Sequence, residues 1–552
     1  MIGVISKESQ KSAVEEFFQL FKIPWEFYNK ERTYEVVIIT DGKIVSSAAK
    51  LLIVFGSETT CFDVSQGIDI HSHKEGALLE HNGFEFPVYQ RLATFLLAGS
   101  AFIRVKGDGE LVGIVCIRSG QRIIRIGYDL FDEIAFLLSQ GQPAEHAHIP
   151  TVEIHISMLR SWILSSGLAL PEIPPFPFGY NLIACLTHDV DFIGIRRHRF
   201  DRSIFGFIYR ALFDSPINAL KGRGSWSKVL NNWKSVLLLP GVYLGIVEDF
   251  WVQFDRFMEI ERDLGATFFF LPFKDRPGQG LSGQASRLRA SRYAATDITQ
   301  QIRSLELQGC EIAVHGIDAW QDSEKGREEF ERVSSIGGGS VLGCRMHWLC
   351  FNSRSPENLE KAGFLYDSSF GYNEVIGYRA GTLQVFRPPG AKRLLELPLH
   401  IQDTALFYPR RMNLPEKKAL ALVKKLLKDA RQYGGVLTIN WHHRSIGPER
   451  FWDGFYLRIL EELKRHNVWF AKAGDIVRWF QKRRAVFFEE CQVTGESIKL
   501  ILRINGSDKV PDLLLRIYRP NRAESNSIIS EDCKVNYFDL LLVNDDELKI
   551  SL

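Results

Sequence analysis

A chain of 552 residues exceeds one ordinary domain, and about two to four folding units are expected. Apolar content of 45% and charged content of 24% describe a globular protein and exclude a disordered or fibrous one. A formal net charge of +2 gives no case for a nucleic-acid binder, and short basic clusters such as IRRHRFDR and QKRR read as solvated faces.

The first 150 residues alternate helical and strand-like patterns: a helix around Ser12–Phe21, strands YEVVIIT and LLIVFG, and a helix near Phe131–Leu138. QRLATFLLAG fits either type. This α/β domain carries no motif of defensible chemistry. Residues 151–180 are expected as a linker. Prolines in LALPEIPPFPFGYN, from Leu168 to Asn181, forbid a continuing helix or central strand.

From 181 to 482, strand-like runs (LIACLT, ATFFFLP, CEIAVH, SVLGCRMHWL, LLELPLH, GGVLTINWH, VWFAKA) alternate with amphipathic helical runs. Such alternation predicts a parallel sheet, open or closed into a (β/α) barrel, with chemistry at the strands' C-terminal ends. Residues 483–552 turn to short alternating runs and are expected as a small all-β appendage.

The acids and histidines of interest fall where apolar runs stop. LIACLTHDVD ends in Asp189 and Asp191, and CEIAVH ends in His315, with Asp318 three residues on. SVLGCRMHWL supplies Arg345 and His347, LELPLHIQD supplies His400 and Asp403, and GGVLTINWHH supplies His442 and His443. Charges at the end of a core strand are costly unless paired, bonded or holding a metal. An aspartate with histidines suits zinc or a similar divalent ion. A second aspartate could then act as general base, and a histidine from the opposite rim as general acid.

These motifs resemble the polysaccharide deacetylases, carbohydrate esterase family 4, whose catalytic part is the NodB-homology domain, a distorted (β/α) barrel. The resemblance covers residues 181–482 and is similar to a divergent branch with an uncharacterised N-terminal domain. THDVD is similar to the family's T-x-D-x-D form, which implies Asp189 as general base and Asp191 as metal ligand. VHGIDAW keeps the first histidine of the second motif, His315. GCRMHWLCFNSRSPENLEKAGFLYDSS is similar to the third, where Arg345 orients the base. VLTINWHH is similar to the fifth, with His442 as the acid.

The second histidine of motif two falls at Ala319, which cannot bind a metal. His347 is the expected third ligand, with Asp318 as the rival. Asp403 is a candidate for orienting His442, and His400 and His443 are expected on other faces. FRPPG at 386–390 mimics the third motif without the helix and strand that should follow it. Tyr372, Tyr378, Trp348 and Trp441 are the aromatics placed to stack on sugar rings. The implied function is removal of N-acetyl groups from an amino-sugar glycan or its precursor with the help of a divalent metal, zinc being the ion expected. Two rivals stand beside it: a hydrolase of another small amide, and a non-catalytic saccharide-binding protein. The start of the chain is a charged amphipathic segment, no window is apolar enough to span a membrane, and the eight scattered cysteines form no framework. A cytoplasmic enzyme with reduced thiols is expected.

Overall fold

The structure, a computed structural model, describes residues 1–42, 48–96, 100–118, 120–199, 201–221, 225–283, 287–337, 341–494, 497–504, 510–520, 536–542 and 546–551. The chain divides into two compact units. One comprises residues 1–179, 380–389 and 478–552; the other comprises residues 180–379 and 390–477.

The second unit is built on a nine-stranded parallel sheet curved as a half-barrel. Its order is Leu395–Glu396, Tyr366–Asp367, Gly343–Met346, Glu311–Gly316, Ala266–Phe270, Leu182–Val190, Val436–Asn440 and Ile401–Gln402, with Val468–Phe470 paired to the start of Leu182–Val190. Every residue of Leu182–Val190, Ala266–Phe270 and Val436–Asn440 is buried, as expected of parallel strands covered on both faces. Helices return the chain between strands. Glu416–Tyr433 buries Ala419, Val423, Leu426, Leu427 and Ala430, the one apolar stripe of an otherwise charged helix. Asp322 caps Ser323–Ser334 by accepting from the Glu324 and Lys325 amides.

The first unit carries a mixed nine-stranded sheet. Ile2–Ile5, Trp25–Phe27, Val36–Ile39, Leu51–Phe55 and Gln121–Ile126 pair in parallel, and long antiparallel strands such as Ile70–His81 and Phe84–Phe95 extend it. QRLATF therefore belongs to a strand. The expected linker at 151–180 opens instead with a 15-residue helix, Thr151–Ser165, which buries Trp162, and Leu170–Glu172 pairs as a strand with Leu513–Tyr518. Only the part after Ser165 contains the prolines that stop a helix. The β-rich tail packs with the N-terminal residues in one unit rather than standing alone. Arg483 shows the reason: its buried guanidinium donates to the carbonyls of Gln19, Leu20, Ile173 and Pro174. Arg484 adds a two-pronged pair to Glu16, both bonds 2.7 Å. Residues 386–389 of FRPPG lie in this unit too, with the Arg387 amide bonded to Glu16.

The cysteines among the described residues are free thiols, and Cys533 lies outside the described residues. Among the described residues no helix is long and apolar enough to cross a membrane.

Candidate active site

Side chains alternate along the Leu182–Val190 strand, and that alternation sorts its polar end. His188 points away from the cleft, its Nδ1 on the Trp441 carbonyl at 2.8 Å and its Nε2 on Glu261 at 3.0 Å. Thr187 and Asp189 face the neighbouring strands. Arg345 Nη1 donates to Thr187 Oγ1 at 2.8 Å and to Asp189 Oδ1 at 2.9 Å. The rest of the Arg345 fork is spent on the Ser368 carbonyl and hydroxyl, at 3.0 and 2.9 Å, and its plane lies over the Phe269 ring. Asn440 Nδ2 donates to Asp189 Oδ2 at 2.7 Å. Burial by itself would raise the Asp189 pKa, but Arg345, then His315 and His442, hold it below the usual carboxylate value.

Asp191 sits just past the strand end, where its carboxylate meets two histidines. His315 Nδ1 lies 2.9 Å from the Arg345 carbonyl, and His347 Nε2 lies 3.1 Å from the Arg289 carbonyl. A carbonyl oxygen only accepts, so both of those nitrogens carry the proton. The remaining nitrogens, His315 Nε2 and His347 Nδ1, then turn lone pairs toward each other at 2.9 Å. Both also face Asp191 Oδ1, at 3.1 and 3.3 Å. Burial holds His347 neutral by pushing its pKa down, against the pull of Asp191. Three inward lone pairs on buried or half-buried groups repel unless a cation stands among them. Ligand bonds of about 2.0–2.1 Å around one tetrahedral ion put donor atoms about 3.3 Å apart, so the three spacings fit. Asp191, His315 and His347 form a candidate metal-binding triad, their donor atoms all within 4.8 Å of one another.

Asp318 is placed elsewhere. Its Oδ1 accepts from the Gln279 amide at 2.8 Å. Ala319 is fully buried where two helices close in, and a Cβ on Gly326 would stand 3.1 Å from Ala319 Cβ and 2.9 Å from Ala362 Cβ. A histidine there has no room, while His347, just past the end of the next strand, stands beside His315 and Asp191. Ala319→His should therefore lower stability by about 1–3 kcal/mol through overpacking, with no gain in metal affinity. Chemical denaturation alongside metal titration checks both halves.

His442 stands across the cleft with its Nε2 3.7 Å from Asp191 Oδ2. Its Nδ1 is bonded at 2.6 Å to Asp403, which also accepts the His442 amide at 2.8 Å. Burial would lower the His442 pKa, but Asp403, with Asp191 and Asp189 behind it, raises it to about 9. His443 is turned into the core between the Phe192 carbonyl and the Gln253 amide, and burial pushes it down to about 4. His400 is likewise buried, against Thr438.

The cleft itself, about 270 Å³, is also lined by residues that strand-end reasoning misses, among them Arg289, Tyr408, Arg411 and Arg450. All four lie in loops or short turns with no period to mark them. Arg411 and Arg450 flank the same Tyr408 ring, at 5.4 and 5.0 Å. Neither has a carboxylate within ion-pair distance among the described residues. Of the four aromatics expected to stack on sugar, Trp441 and Tyr378 are fully buried core and Tyr372 is nearly so. Trp348 remains, 46% exposed on the cleft wall. It and Leu349 hold φ of 64° and 51°, left-handed backbone that side chains rarely adopt and that clusters at functional sites.

No protein-family model and no curated protein sequence matches the chain. Among solved structures it is similar to a candidate polysaccharide deacetylase from Mycobacterium smegmatis, at 18% identity and a TM-score of 0.35, over 59% of this chain and 98% of that one. It is also similar to PuuE allantoinase, at 16% identity and 0.35, over 55% and 92%. Agd3, a carbohydrate deacetylase, is similar at 8% identity and 0.36, over 100% and 99%. The chemistry assigned to the cleft rests on its own residues and distances.

Proposed function

We propose that this cleft is the active site of a metal-dependent hydrolase that removes N-acetyl groups from an amino-sugar glycan or glycan precursor. The observation that carries the reading is the inward convergence of Asp191, His315 and His347 beside two further pairs, Asp189–Arg345 and Asp403–His442. A divalent ion bound by the triad, zinc being the ion its donors suit best, would supply Lewis-acid polarisation of the amide carbonyl and acidify water. Asp189, kept ionised by Arg345, is the base that takes a proton from attacking water. Arg345 and Asn440 each hold one of its oxygens, and Asp189 lines the cleft. His442, protonated at neutral pH, gives the Nε2 proton to the leaving amine, which otherwise leaves poorly. Arg411 and Arg450, bonded to hydroxyls but with no carboxylate in ion-pair distance among the described residues, favour a substrate that carries a phosphate or carboxylate group. The free thiols support a reducing, cytoplasmic setting.

Acetate release from N-acetylglucosamine oligomers and from sugar-phosphate precursors, with chelated and metal-restored protein, tests the reading. Stoichiometric metal with no acetate from either class would favour a saccharide-binding role.

Asp403 is a positioning residue in this scheme, and Asp403→Asn should move the alkaline limb of the pH–rate profile. Removing its charge lets burial draw the His442 pKa from about 9 toward or below its ordinary 6.5. The protonated fraction at pH 8 then falls by about 30-fold, while activity near pH 6 suffers far less. A profile scaled down uniformly across pH would mean that Asp403 acts on something other than the His442 proton.

A further inference from the structure

The segment from Ile195 to Ile246 holds the helices Arg202–Tyr209, Ser215–Leu220 and Trp226–Tyr243, between the first two strands of the half-barrel. Its inner side is ordinary core: Ile204, Phe207, Ala211, Leu239 and Val242 pack with Trp251 and with Phe192 and Ile195 beside the cleft. Its outer side is not. Phe205, Phe213, Leu220, Leu230, Leu237 and Leu244 are between 55% and 80% exposed. Trp226 and Trp233 join Leu230 and Leu237 at steps of four, three and four, a second apolar stripe opposite the buried Val229–Leu239–Val242 stripe. Twelve of the 26 large exposed hydrophobic side chains among the described residues fall in this segment. Single exposed leucines need no explanation, but such a concentration marks an interaction surface.

Charge selects the occupant. The segment holds nine lysines and arginines against two aspartates, a net +7 inside a chain whose total is +2. Arg197, Arg210 and Lys228 pair with acids outside it, and the exposed Arg199, Arg202, Lys221 and Lys234 have no ion pair among the described residues. A ridge of Leu, Phe and Trp edged by basic side chains is the pattern of a helix lying in an anionic bilayer interface. Among the described residues no helix is long and apolar enough to cross, so these helices would lie on the membrane rather than span it.

We propose that the helices Arg202–Tyr209, Ser215–Leu220 and Trp226–Tyr243 form a surface anchor for anionic lipid membranes. His198 and Ser203 of the same segment line the cleft, so the anchor holds that cleft beside lipid. On the deacetylase reading above, its substrate is then a lipid-linked precursor. The anchor itself stands without that reading.

Vesicle flotation of the full chain separates the two. Binding is expected to phosphatidylglycerol-containing vesicles, little binding to pure phosphatidylcholine, and weakening as salt rises. The triple variant L230E/L237E/L244E should lose on the order of tenfold or more of that binding, and K221E/K234E should lose most of its dependence on anionic lipid. Leu307→Glu, at a residue 90% exposed outside the segment, is the control and should bind as the native protein does. All these sites are exposed, so unchanged circular dichroism and metal content are expected. No binding to anionic vesicles, or equal loss in the Leu307 variant, overturns the anchor. A native dimer that the triple variant dissociates, without vesicle binding by either, overturns it in favour of self-association. None of these outcomes alters acetate release from soluble substrates, which tests the deacetylase reading separately.

Discussion

Asp189→Asn is expected to lower kcat by on the order of 10²–10⁴ while metal content stays near native, whereas His315→Ala loses metal and turnover together. The two residues lie in the same cleft on strands separated by Ala266–Phe270, so the contrast follows from what each side chain touches. The Asp189 carboxylate is engaged by Arg345 and Asn440 and contributes no atom to the triad. An asparagine fills the same volume and still accepts from Arg345, but it cannot take a proton from water. His315 is held by the Arg345 carbonyl with its Nε2 turned to Asp191 and His347. Alanine there leaves two donors and a cavity, too few for a tightly held ion. Metal analysis and acetate release on the same samples decide it. Equal metal loss in both variants would mean that Asp189, not Asp191, is the metal ligand and that the two aspartates exchange roles.

The triad and its neighbours were legible because each lies where an apolar strand meets the rim. LIACLT, CEIAVH and VLTIN are buried runs whose polar ends have to be explained, and parallel pairing brings those ends together. The same rule could not separate faces. His443 was expected on another face and His188 was left without a role, and alternation and a turn send both into the core. Nor could it find Arg411 and Arg450, which come from turns where sequence carries no periodicity. Trp441 and Tyr378 show the usual fate of large aromatics, whose area is worth more inside. In the first unit the hairpin strands obscured the pattern, and only the fold gathers residues 380–389 and 478–552 onto the N-terminal segment. The outward apolar ridge on the helices Arg202–Tyr209 and Trp226–Tyr243 was not expected, because only burial shows which of two apolar stripes faces out.

Arg345→Met should cost about 3–5 kcal/mol at neutral pH, among the largest stability losses available in the second unit. Arg345 is fully buried, and its single guanidinium satisfies Thr187, Asp189 and the carbonyl and hydroxyl of Ser368 while stacking on Phe269. Methionine replaces the packing but leaves Asp189 as a buried charge with Asn440 as its main partner. The pH dependence has a definite sign. In the native protein the depressed Asp189 pKa contributes stability above the unfolded value near 4 that is lost as pH falls through the folded value. Without Arg345, burial dominates and raises that pKa above the unfolded value. The variant's deficit then grows as pH rises from the unfolded toward the raised pKa, and it shrinks in mild acid, where Asp189 takes a proton. The second substitution isolates the cause: Asp189→Asn in the Arg345→Met background removes the stranded charge and should recover stability instead of adding a further loss. Denaturation midpoints of the four proteins at about pH 5 and about pH 8, a span set by carboxylate titration, complete the cycle. Additive losses with no pH dependence would show that Arg345 is held for packing alone, and the claim that it keeps the base ionised would fall with it.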